Sequence, residues 1–103
     1  MVTQHDAGEQ FLGPARELLE VLSRSPGFVS GHVGRSPDEP DVWLMVTHWQ
    51  DVGSMRRGFG TYDAKVAAAP VMASARNQPS AFEELVEVRD GNVSLNAPDR
   101  HAP

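Results

Sequence analysis

The stretch "VWLMVTHWQD", residues 42 to 51, constrains this chain more than any other. Run as a strand, it points Trp43, Met45, Thr47 and Trp49 to one side and Val42, Leu44, Val46 and His48 to the other. Both sides are mostly apolar. A strand covered on one face alternates apolar with polar residues, so this one needs cover on both. The chain has 103 residues, enough for one domain and too few for two. The second cover must therefore come from the helices and tail of the same chain or from a partner subunit.

The flanking sequence supplies one helix before a strand pair, then a helix and a strand. Phe11, Leu12, Ala15, Leu18, Leu19 and Leu22 fall on one helical face, with Asp6 and Glu9 spaced as a capping box ahead of them. Pro14 interrupts this pattern and marks either a kink or the true helix start. "FVSGHVGR" (28 to 35) reads as a strand, and "SPDEPD" (36 to 41) as the turn into the strand at 42 to 49. Asp51 can cap a second helix in which Val52, Met55 and Phe59 share a face. Gly58 and Gly60 weaken that helix, and "TYDAKVAAA" resumes helical character until Pro70. "AFEELVEV" (81 to 88) is the expected last strand, after the loop "NQPS". The segment 90–103 is polar and proline-containing and reads as a flexible tail behind a domain of residues 1–89.

This order is one strand short of the β-α-β-β-α-β unit. Only Met1 to His5 remain to form the first strand, which in that architecture lies inside the sheet. The expected first strand is therefore truncated or missing, with "VTQ" as a stub at most. A start placed upstream is the alternative.

Residues Phe11 to Glu83 resemble the antibiotic biosynthesis monooxygenase domain family. The likeness is carried by "SPGFVSGHVGRSPDEPDVWLMVTHWQDVGSMRR", then "TYDAKVAAAP" and "QPSAFE", in the family's order. It implies an α+β, ferredoxin-like sandwich that forms a homodimer, a dimeric α/β barrel in which the two sheets face each other. That assembly would cover both faces of the 42-to-49 strand. The resemblance also implies a cavity between the sheet and helices of each subunit. There, a small aromatic substrate of polyketide or quinol type would give an electron to oxygen with no metal or flavin.

Composition removes other classes. Asp and Glu outnumber Lys and Arg 14 to 9, for a formal net charge of −5, which argues against nucleic acid or an anionic membrane as partner. With no cysteine, thiol catalysis and thiolate zinc sites are excluded. The first ten residues carry no secretion signal and no apolar run spans a bilayer, so the expected location is cytoplasmic.

Oxygenation of an electron-rich ring needs a base, aromatic walls and donors for a developing anion. His48 and His32 are the candidate bases, because only histidine titrates near neutrality unperturbed. A hydrogen-bonded or exposed surface histidine is the plainer reading of each. His5 and His101 are near the ends and are expected to be solvated. Trp43, Trp49 and Phe59 can wall a ring, although core packing is the commoner role of such residues. Tyr62 follows the glycine break and can donate to a phenolate. Glu84 lies in register with Phe82, Val86 and Val88, so it is either drawn inward or part of a charged edge.

Two histidines on separate strands make no metal motif. Haem degraders of the family carry a histidine and a tryptophan on the second helix, and residues 52 to 76 contain neither. A dimeric domain that binds a small molecule without catalysis is the competing class, and kinship of fold does not separate the two. A filled core would favour it.

Overall fold

A computed structural model of the chain describes residues 1–96. Strand β1 (Val2–Asp6) leads through a single 3-10 turn (Glu9–Phe11) into helix α1 (Leu12–Leu22). Strands β2 (Phe28–Arg35) and β3 (Val42–Trp49) follow, then helices α2 (Val52–Phe59) and α3 (Tyr62–Met72). Strands β4 (Val86–Arg89) and β5 (Asn92–Leu95) close the described chain. The main sheet is antiparallel in the order β1-β3-β2, with helices packed on one face. The architecture is the expected α+β, ferredoxin-like one.

Strand β1 is present and short, with five residues against the eight of β2 and β3. It pairs along β3 from Val2↔Val46 to Asp6↔Val42. Its outer edge is also occupied, though not by the 81-to-88 segment. Ser74 and Ser80 carbonyls accept from Asp6 and Val2, and the Arg76 N–H donates to the Gln4 carbonyl. An irregular run after α3 thus takes the place of the fourth strand and satisfies the backbone groups of β1.

Local chemistry explains most element ends. Pro14 falls in the first turn of α1, where its missing N–H has no intrahelical partner to lose. Asp6 does not cap this helix; it ends β1 and forms a bidentate pair with Arg76. Asp51 caps α2, its carboxylate accepting from the Ser54 N–H at 2.7 Å. Gly60 ends that helix, and Thr61 caps α3 by accepting from the Ala64 N–H at 3.2 Å. Helix α3 runs two residues past Pro70, although a stop there was expected. A proline so near the C-terminus removes one hydrogen bond without enough following helix to break.

The core lies between the sheet and α1 and α3. Phe11, Leu18, Leu22, Trp43, Met45, Trp49 and Val71 are all buried there. Each contributes on the order of 1.5–3 kcal/mol. The two faces of β3 now separate. Trp43, Met45, Thr47 and Trp49 are buried against the helices, whereas Val42, Val46 and His48 are half-buried and Leu44 is exposed. Within one chain nothing covers that second face fully.

The C-terminal segment departs most from expectation. Only Val86–Arg89 of the predicted last strand is regular, and it pairs with β5, residues expected to belong to the tail. Asp90 and Gly91 make the turn with φ of 51° and 80°, the geometry of a two-residue type I′ hairpin. Val86, Val88, Val93 and Leu95 share one face of this hairpin, and all four are at least 58% exposed. The rest of the expected tail lies outside the described residues. No helix among the described residues is long and apolar enough to cross a membrane.

Candidate active site at the end of strand β3

Where β3 ends and α2 begins, the chain turns beneath the irregular segment before β4. A cleft of about 440 Å³ opens there, with Val29, Trp49, Met55 and Phe82 as apolar walls. His48 lines it from β3 and Glu84 from the overlying segment, with Nε2 and Oε2 at 2.6 Å. The sheet alternation places His48 on the open face beside half-buried Val46, and Glu84 closes over it. Both side chains remain about one-third exposed, at 38% and 36%, so the pair is reachable by a ligand.

A carboxylate on Nε2 has a definite chemical effect. It accepts the Nε2–H, which selects that tautomer of the neutral ring and leaves Nδ1 as the basic nitrogen. The pair has the arrangement of an imidazole held by an orienting carboxylate.

The other candidates are dispersed. Trp49 joins the cleft, its indole N–H donating to Thr47 Oγ1 at 2.9 Å. Phe28 meets its ring edge-on at 5.2 Å and Phe59 lies 5.9 Å away, so Phe59 supports the wall from behind. Gly58 permits this arrangement, because a Cβ there would overlap the Trp49 ring. His32 is exposed on the same sheet face, opposite Val46, and lines no part of this cleft. Tyr62 is 79% exposed at the start of α3 and does not border the cleft. Trp43 sits at the far end of β3 in the core, donating to the Ala7 carbonyl and packed between Phe11 and Arg35.

The layer between sheet and helices, implied as the cavity by the family likeness, is packed at its centre by Trp43, Met45 and Trp49, while an apolar groove of about 450 Å³ opens between α1 and β2 beside Leu19, Phe28 and Val33. One expectation is corrected. His5, expected to be solvated, is completely buried. It bonds Thr3 Oγ1 through Nε2 at 2.7 Å and Ser74 Oγ through Nδ1 at 3.1 Å, and its ring lies tilted against Phe11 at 4.5 Å. Burial lowers its pKa below the ordinary 6.5. Its alternation with Thr3, both facing the helices, was readable only once β1 was known to be a strand. Glu84 was read as either drawn inward or part of a charged strand edge; it lies in the irregular segment before β4, and its partner His48 was not legible. Among the described residues, no group of three or more His, Asp or Glu is placed to hold a metal ion.

Comparison with known proteins agrees with this architecture. The family model "Antibiotic biosynthesis monooxygenase" matches residues 1–69. The fold is similar to that of SnoaB, a cofactor-independent oxygenase from Streptomyces nogalater. The TM-score is 0.64 at 22% identity, covering 82% of this chain and 89% of that one. A conserved protein from Methanosarcina mazei Go1 gives a TM-score of 0.64 at 15% identity, covering 92% of this chain and 84% of that one. An antibiotic biosynthesis monooxygenase structure gives 0.61 at 16% identity, with 96% of both chains covered. At such identities the structural likeness speaks for the fold, while the family model spans about two-thirds of the sequence. The chain belongs to the antibiotic biosynthesis monooxygenase family.

Proposed function

We propose that the protein is a monooxygenase that oxidises a small hydroxyaromatic substrate with molecular oxygen and without a cofactor, working as a cytoplasmic homodimer. The observation that carries this reading is the His48–Glu84 pair, 2.6 Å apart, in a cleft walled by Trp49 and Phe82. Chemistry of this type begins with loss of the substrate's proton, which raises its electron density enough to reduce oxygen. His48 Nδ1 takes the proton while Glu84 holds Nε2–H. The carbanion or phenolate transfers one electron to O2, and the two radicals join at carbon as a hydroperoxide. Loss of water then leaves a carbonyl, so one oxygen atom enters the product and the other leaves as water.

The dimer rests on two apolar surfaces that one chain leaves open. One is the β3 face carrying Leu44 and Val46, and the other is the hairpin face of Val86, Val88, Val93 and Leu95. A symmetric pair would bury both.

The test is turnover of a dihydroxyanthracene or a quinol by protein freed of metal and flavin. His48→Ala is expected to reduce the rate by roughly 10²–10⁴, the usual contribution of a general base. Glu84→Gln should lower it less, and Tyr62→Phe not at all. Unchanged turnover in His48→Ala would remove the proposed base. A second reading, a dimeric binding domain without catalysis, is supported by the packed centre of the layer between sheet and helices and by the apolar groove between α1 and β2, which carries no candidate base. Tight binding of the same compounds without oxygen uptake would decide for it.

A further inference from the structure

Among the described residues, four carboxylates, Asp51, Glu83, Glu84 and Glu87, border the His48 cleft, and no lysine or arginine does. Three of the four are already engaged. Asp51 caps α2, Glu84 holds His48, and Glu87 accepts from Arg89 Nε at 2.9 Å. Glu83 has no hydrogen-bond or ion-pair partner among the described residues. Arg56 lies with it on the adjoining cleft over α2 but forms no ion pair with it. Among the described residues the cationic group at the cleft itself is the amino terminus of Met1, which donates to the Thr47 carbonyl at 2.6 Å. Burial lowers the pKa of that amine below its ordinary 8.0.

An anionic substituent entering this cleft therefore finds no guanidinium among the described residues, only an amine already donating to the Thr47 carbonyl, and meets a free carboxylate. A neutral hydroxyaromatic meets neither obstacle, and its charge appears only after the proton has moved to His48. We infer that the cleft selects neutral hydroxyaromatic substrates against those bearing a carboxylate, and that Glu83 is the residue that sets this preference. The inference rests on the cleft being the substrate site.

Two probes of matched shape test it: 1,4-dihydroxynaphthalene and 1,4-dihydroxy-2-naphthoate, titrated without oxygen and followed by quenching of tryptophan emission. One repelling charge at several ångströms in a half-solvated site is worth about a three- to tenfold weaker Kd for the carboxylate. In Glu83→Gln the ratio of the two Kd values should approach one, and in Glu83→Lys it should invert. Added salt should narrow the wild-type ratio, because the groups are partly exposed. A merely structural role for Glu83 would change both Kd values and leave their ratio alone. Equal affinity for the two probes, or a ratio unmoved by either variant, overturns the inference and leaves the site in place. If neither probe quenches the emission, the substrate site itself is misplaced and the inference falls with it.

Discussion

Gly58→Ala is the sharpest test of how the cleft wall is built. In most helices this exchange stabilises by about 0.8–1 kcal/mol, because alanine loses less backbone freedom. Here the position is buried, and the new Cβ would overlap two atoms of the Trp49 six-membered ring and crowd a third at 3.3 Å. That ring is held by Phe28 edge-on, by Phe59 and by its own bond to Thr47, so it cannot swing away freely. Overpacking of this kind costs about 1–3 kcal/mol, with a rigid indole nearer the upper end. The balance is a net loss of about 1–2 kcal/mol, a fall in Tm of about 4–16 °C for a domain of this size. Gly53→Ala in the same helix is the control, because its Cβ meets the mobile end of Arg57 at 3.1 Å and Asp51 Oδ1 at an ordinary contact distance of 3.5 Å. It should leave stability unchanged or raise it. The assay is thermal unfolding of both variants with tryptophan emission as second readout. Trp49→Phe should shrink the Gly58→Ala penalty, since the pair is in direct contact. If Gly58→Ala is as stable as Gly53→Ala and its emission is unchanged, Trp49 does not sit where the structure places it.

Buried, neutral His5 implies an acid sensitivity. Its folded pKa lies below the ordinary 6.5, so the unfolded chain binds the proton more readily. Its contribution is complete above that value and declines as pH falls through 6.5 toward the folded pKa, by at most about 1.4 kcal/mol per pH unit. Urea unfolding at pH 7.5 and 5.5 should show a slope that His5→Gln lacks; identical slopes would refute it. Thr61→Ala removes the cap of α3 and should cost about 1 kcal/mol, measured as a shift in urea midpoint. Sedimentation at micromolar concentration should give a dimer, and Val46→Asp, on the open sheet face, a monomer. A wild-type monomer would leave the two apolar surfaces without a partner.

The pattern of residues 28 to 49 was enough to determine the central hairpin, because β-branched and aromatic residues bounded by "SPDEPD" admit little else. Strict two-residue alternation also made both faces of β3 mostly apolar; the helices cover one, and cover for the other belongs to the proposed dimer. Asp51 and Pro14 announced their helix starts through capping and the missing N–H. The hairpin at Val86–Leu95 was legible too, in Asp90-Gly91 between two short alternating runs, but the polar composition around it reads as tail. Other features depended on contacts between residues far apart in the chain. Val2–Asp6 becomes a strand because β3 on one side and residues 74–80 on the other satisfy its backbone, which five residues cannot reveal alone. The same pairing turns His5 inward onto Phe11 and Ser74, 69 positions away. The pairing of His48 with Glu84 likewise required the chain after α3 to fold back over the end of β3. Alternation says which residues share a face of a strand; only the closed tertiary structure decides what stands opposite that face.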